Sequence, residues 1–390
     1  MEHDDNLAFE SVSESKELES TLDELEELEA RSANHQEIVA FAQSSENYCP
    51  QYAQILSHFL NQQHTLFGLE NTPSFEDYED LAVFYGKSQV SLEGFIARMK
   101  AAEKRLYHRL SSGLIDDARI ASRKKAATHL RAQASEFTSR LKEMDSEVKV
   151  SLKGVAKQLA VKGQVPSNLG QAAQKDVAAV KELFTKYVPN AVSYNTHLQQ
   201  TLTLAVNAGP GEVGEVLNKV FERELPARSL STGLKEGSSL MGNRYIMVPD
   251  AVPDEGSLKK RMAHLNKVKP PQFAKLEKVK ENTGEVTLSR NDVSALIKAL
   301  SAYAEVIENA NTDLEKVVRD LTYEAKESRK RSGAKADYAK MGEQGAVTTL
   351  SKLVVHMPVH ATRIIPDAFN HIRANAKAII QVLERAGKPK

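Results

Sequence analysis

The sequence predicts a mainly α protein: a multi-helix bundle with one long C-terminal helix and a small two-stranded β element. Three observations carry this. From Asn291 to Arg331, Val293, Leu300, Ile307, Leu314 and Leu321 recur every seven residues, and Ile297, Ala304, Val318 and Ala325 follow four behind, so the apolar positions form one seam along a helix. Aromatic residues make up 6% of the chain, tryptophan is absent and charged residues reach 27%, a composition that suits thin-cored bundles better than a dense enzyme core. β-type runs are confined to Tyr245–Val248 and Glu285–Leu288, which are expected to pair with each other.

The 390 residues can bury a large core in two or three domains. Composition divides them into an acidic arm or propeptide (1–31), an N-terminal helical domain (32–225), a Gly/Pro-rich connector with short strands (226–290) and a C-terminal helical domain (291–390). The arm holds twelve acids against Lys16 and Arg31, a charge of −10. Because the whole chain is formally neutral, the other residues carry +10. The arm reads as a solvated tail, or as a mask over the body's charge that is removed when an anionic partner arrives. No apolar run approaches the ~20 residues needed to span a bilayer, and the acidic N-terminus lacks the basic and apolar parts of a signal peptide, so a soluble chain that is not exported by that route is expected. Cys49 is the only cysteine, which excludes an intramolecular disulfide and a thiolate metal cage.

In order along the chain, Ala33–Ser45 and Tyr52–Leu66 show helical spacing on either side of Tyr48-Cys49-Pro50, and a further helix carries Phe75, Tyr78, Leu81, Ala82 and Tyr85. Basic helices follow. The first has the apolar face Leu92, Phe95, Met99, Ala102, Leu106 and Leu110; the second has Ile120, Ala127, Leu130, Ala134, Phe137 and Leu141. Arg119, Arg123, Lys124 and Lys125 on the second are candidate anion contacts, because such helices track phosphate by charge alone; the competing reading is a solvated face, since acids interleave.

Gly163–Gly170 reads as a loop, and a helix follows through Val177, Val180, Leu183, Phe184 and Tyr187, which Pro189 kinks or ends. Gly209–Gly214 matches GxGxxG, but a helical face leads into it through His197, Leu198, Leu202 and Ala205, so a helix stop and restart explains the glycines without a nucleotide.

The long helix starts at a cluster of N-caps, Ser289, Asn291 and Asp292, and ends at Gly333. Its basic end, Arg329, Lys330 and Arg331, adds further candidate anion contacts. At about 1.5 Å per residue this is a rod of roughly 60 Å that needs partners along its length. Those are other helices of the chain or a second copy, with Asn311 in the seam setting register. Two more helices, Glu343–Met357 and Ala368–Arg385, are expected with Pro358 and Pro366 between them. His356, His360 and His371 invite a metal reading, but Pro358 is expected to break the helix that would place the first two on one face. No P-loop, nucleophile elbow or Cys–His pair is present, and no catalytic, cofactor or metal residues are assigned.

The acidic leader, the helix-rich basic body, the Met241–Val248 strand and the Leu288–Val293 start of a long helix bearing Tyr303 together resemble the internal-head and other virion structural proteins of large tailed bacteriophages. That resemblance implies a non-enzymatic virion component, assembled in the host cytoplasm, whose partners are other virion proteins and, non-specifically, DNA. It also implies cleavage of the leader after short motifs ending in Glu, for which Ala8-Phe-Glu10, Ser15-Lys-Glu17 and Ser44-Ser-Glu46 are the candidates. The alternative is a cytoplasmic helical scaffold or adaptor that self-associates as a homo-oligomer through the 291–331 helix.

Overall fold

The computed structural model describes residues 117–387 apart from 143, 210, 231–239, 250, 254, 276–283 and 334–343, together with residues 101, 104, 105 and 108. The expected helices before residue 92, most of the one carrying Leu92–Leu110, and Glu10, Glu17 and Glu46 lie outside the described residues; residues 101, 104, 105 and 108 are helical. The elements below belong to one compact unit spanning residues 111–390.

Helix α1 (Asp117–Leu141) runs into strand β1 (Glu147–Ser151), the short helix α2 (Ala156–Leu159) and helix α3 (Leu169–Glu182). The start of α3 is set by Asn168, whose side chain accepts from the Gln171 amide at 2.9 Å. A π-turn, Leu183–Tyr187, carries α3 directly into α4 (Val188–Asn207), whose first turn contains Pro189. Pro189 therefore neither ends the helix nor stands in its interior. The wider π-turn lets the chain pass the missing amide and restart with proline where helices tolerate it. Helix α4 stops before Gly209, and α5 (Val213–Asn218) begins after Gly211, which has φ +96°. The glycines thus mark a helix stop and restart.

Strand β2 (Arg244–Met247), helix α6 (Leu258–Asn266) and strands β3 (Gln272–Lys275) and β4 (Glu285–Ser289) lead to α7 (Arg290–Gly333), α8 (Gln344–Thr362) and α9 (Ile364–Ala386). The strand pairing differs from expectation. β4 pairs antiparallel with β1, Val150 opposite Val286, and β2 pairs antiparallel with β3, Ile246 opposite Phe273. Glu147–Ser151 alternates charged and apolar residues over only five positions between helices, too short a signal to stand out. The partner of β4 was then chosen by space: α7 leaves from its end, and α7 is antiparallel to α1, which delivers β1 to the same place.

The 44-residue helix α7 is the axis of the bundle. Its start is a reciprocal cap: Ser289 Oγ accepts from the Asp292 amide at 3.2 Å, and the Asp292 carboxylate accepts from the Ser289 amide at 3.2 Å. Val293, Leu296, Ile297, Leu300, Tyr303, Ala304, Val306 and Ile307 are buried, and α7 packs against α1, α3, α4, α8 and α9. The N-terminal half of the seam is therefore filled from within the chain. Helices from both sides of the 226–290 stretch meet here, and Met262 and Leu265 of α6 join a second core with Leu198, Leu217, Leu350 and Val354.

Two proline expectations are corrected. Helix α8 continues through residue 358 to Thr362, and Pro366 lies inside the first turn of α9. The buried faces on both sides, Val354, Met357 and Ala361, hold α8 helical against the roughly 3 kcal/mol an interior proline costs. At Pro366 the missing amide is one that a first turn leaves unpaired anyway.

Candidate functional site, a buried carboxylate node

On α3 the apolar stripe Ala173, Val177 and Val180 is interrupted by Asp176, which is 1% exposed. A bare carboxylate there would be strongly unfavourable, so it must be met by donors. The fold supplies four, each from a different residue. The Met241 amide donates to Oδ1 at 2.8 Å, and the Tyr303 hydroxyl of α7 donates to Oδ2. His371 Nε2 of α9 lies 2.9 Å from Oδ1 and 3.0 Å from Oδ2, and Asn375 Nδ2, one turn further on, donates to Oδ2 at 3.1 Å. A ring nitrogen facing both carboxylate oxygens must carry its proton there, so Nε2 of His371 is a donor to Asp176. Asn375 Nδ2 is also 3.0 Å from that nitrogen; with Nε2 protonated, the Asn375 amide serves the carboxylate, not the ring.

Burial alone would push the Asp176 carboxyl up, but His371, Tyr303 and the Met241 amide outweigh it, so the group sits below its ordinary value and is ionised. The Tyr303 hydroxyl is pushed well above its ordinary value by burial and by the Asp176 charge, so it remains a donor. The ring of Phe273 in β3 covers His371, with centroids 5.1 Å apart.

The Met241 contact depends on a tight turn, with Gly242 at φ +74° and Asn243 at φ +52°. Asparagine tolerates the left-handed region, and here its side chain is used as well. The Asn243 amide donates to the Ala160 carbonyl at 3.0 Å, and Oδ1 accepts from the Gly163 amide at 2.8 Å. One carboxylate thus ties α3, α7, α9 and the turn before β2. Chemically, an Asp–His–Tyr group can relay protons, but this one is sealed, with the Asp176 side chain 0% and the His371 side chain 1% exposed. The cavity lined by Tyr187, Tyr194, Pro226, Pro270, Leu353 and His360 includes none of its members. The node is suited to holding helices in register, not to turnover.

The candidate anion contacts fall elsewhere. Lys124 and Lys125 are exposed on α1. Arg123 is half-buried, with its guanidinium 4.4 Å from the centre of the Phe369 ring, which itself packs on Phe184. Arg119 lies on α1 and Arg329, Lys330 and Arg331 lie on α7, with their side chains outside the description. The helix through Pro358 sets His356 and His360 one turn apart on one face, contrary to expectation. His371 is committed to Asp176, and among the described residues no group of three His, Cys, Asp or Glu is gathered for a metal.

Asp176, Tyr303, His371 and Asn375 were not recognisable as a unit from the sequence. Their signal is an acid within an apolar stripe on α3, and His371 with Asn375 at helical spacing among Ile372, Ala376 and Ile379 on α9. Such positions announce a need for partners without saying where the partners are.

No curated protein and no solved structure matches this chain. A family model describing phiKZ-like phage internal head proteins matches residues 10–365. That span is most of the sequence, and with the helical bundle and its sealed polar node it agrees with a structural part of a virion: the chain belongs to the phiKZ-like phage internal head proteins.

Proposed function

We propose that the chain is a non-enzymatic structural protein inside the phage head whose basic body lies against DNA or capsid once the acidic arm is cut or displaced. The observation that carries this is the charge division: −10 on residues 1–31 against +10 on the remainder. A body of that charge gains affinity for a polyanion mainly by releasing condensed counterions, and a covalently attached acidic arm competes for the same groups. Intact mass and N-terminal sequencing of the protein taken from purified virions test the reading. A mature start at Ser11, Leu18 or Asn47, after Glu10, Glu17 or Glu46, supports it; a chain beginning at Met1 or Glu2 refutes the cleavage.

Self-association through the 291–331 helix is the weaker reading, because α1, α3 and α4 already occupy the seam as far as Ala310. Replacing Leu314 and Leu321 with glutamate tests it by sedimentation; an unchanged profile removes it.

A further inference from the structure

Between Val148 and Lys175 there is no Asp or Glu but there are five lysines: Lys149, Lys153, Lys157, Lys162 and Lys175. All five are exposed, and among the described residues none of their ammonium groups is held in an ion pair or hydrogen bond. On α1, Arg131 is bound to Glu308, Arg140 to Glu136, and Arg123 is spent on Phe369, which leaves Lys124 and Lys125 as a smaller exposed pair there. A second acid-free stretch, Gly256–Lys275, ends on the exposed Lys275 of β3. The fold joins the two. Asn243 binds Ala160 and Gly163 on one side, and its neighbour Arg244 is paired with Lys275 on the other. Helix α9 packs beneath β1, α2 and β3 alike and adds the exposed Arg373 and Lys377. Among the described acids, Glu147 and Glu285 stand at the ends of the β1–β4 pair, and Asp367 of α9 lies close enough to Arg244 to feel its charge.

The structure assigns this surface, centred on Lys153, Lys157, Lys162 and Lys275, as the place where the chain holds the phosphate backbone of duplex DNA. The assignment rests on the proposed function above and names the site within it. Its core is built from lysines, point charges on flexible stems, without the arginine forks that grip base edges, so it neutralises phosphates and does not read sequence. Unpaired, solvated ammonium groups also give up no existing partner when they bind.

The test is binding of the chain, both with the arm intact and in the mature form taken from virions, to a random-sequence duplex of about 30 base pairs across a KCl titration. The chain carrying Lys153→Glu, Lys157→Glu, Lys162→Glu and Lys275→Glu is compared with one carrying Lys124→Glu and Lys125→Glu, and circular dichroism checks that each is folded. Should the quadruple variant misfold, the same four positions are changed to glutamine. The expected result is at least a tenfold loss of affinity at about 100 mM KCl and a salt slope shallower by roughly 0.9 for each lost phosphate contact. The α1 variant should stay within about twofold. An unchanged slope in the quadruple variant, or a loss confined to the α1 variant, overturns the assignment while leaving DNA contact in place. A wild-type chain that binds no DNA even in the mature form taken from virions removes both. A quadruple variant that binds DNA normally but no longer binds a synthetic peptide of residues 1–31 also overturns it, giving the surface to the acidic arm.

Discussion

His371 Nε2 sits within 3.0 Å of both oxygens of Asp176, although the two residues are 195 positions apart and both are buried. Removing the carboxylate leaves the Tyr303, His371, Asn375 and Met241 donors facing one another. Asp176→Ala should therefore destabilise the chain by about 3–5 kcal/mol, the usual cost of breaking a buried charged group away from its partners. Asp176→Asn should be nearly as damaging, because its amide group turns donors toward donors. Urea unfolding checks both, and a loss below about 1 kcal/mol for Asp176→Ala would show that the node carries little.

Tyr303→Phe keeps the ring that fills the core and removes one donor of four. A loss of about 1–2 kcal/mol is expected, clearly smaller than at Asp176. Thermal unfolding of the two variants side by side measures the ranking, and the reverse order would mean that the ring and its hydroxyl, not the carboxylate, anchor the site.

Gly170 is where α3 crosses α7. A Cβ placed there would stand 2.6 Å from the Ala295 Cβ and 2.9 Å from the Asp292 carbonyl oxygen, neither of which can swing aside. Gly170→Ala should cost about 1–3 kcal/mol by forcing the helices apart, despite alanine's better helix propensity. Adding Ala295→Gly should recover part of that loss. A stabilised Gly170→Ala would show that the crossing yields easily.

His360 has its pKa lowered to about 4 from an ordinary value of 6.5, by burial first and then by the neighbouring Arg363 charge. The unfolded chain therefore takes up this proton before the folded one does. The stability that comes from keeping the ring neutral is complete above about pH 6.5 and is lost as pH falls toward 4, to an extent on the order of 2–3 kcal/mol. Asp176 behaves differently: with its folded value depressed, its contribution is lost only as pH falls below the ordinary carboxylate range. Unfolding free energies between pH 7 and 4 should thus fall in the wild type and fall less in His360→Gln. Parallel curves would remove the assignment.

Much of the bundle is legible locally. The seam of α7 and its Ser289–Asp292 start, the apolar face of α1 through Ala127, Leu130, Ala134 and Phe137, and the helix stop at Gly209 all follow from spacing and capping over a few turns. So does the extended run at Tyr245, because β-branched and apolar residues bounded by proline have few other options. The places where local rules failed share a cause. Pro189 and Pro358 carry helix-ending chemistry, yet each lies within a continuous helical path, because a π-turn or buried neighbours supply more than the missing hydrogen bond removes, while Pro366 stands in the first turn of α9, where its missing amide would be unpaired anyway.

The sequence by itself determined that this chain is helical, that its long C-terminal helix needs partners along one face, and that its acidic charge is gathered at the N-terminus. Those properties depend on residues within a turn or two of one another, or on simple counting. Tertiary structure alone decided that β4 takes β1 and not β2, that the seam of α7 is filled by α1, α3 and α4, and that Asp176 meets His371 and Tyr303. Pairings across more than a hundred residues are selected by which arrangement leaves no buried donor, acceptor or charge without a partner, and that condition exists only once the helices are packed.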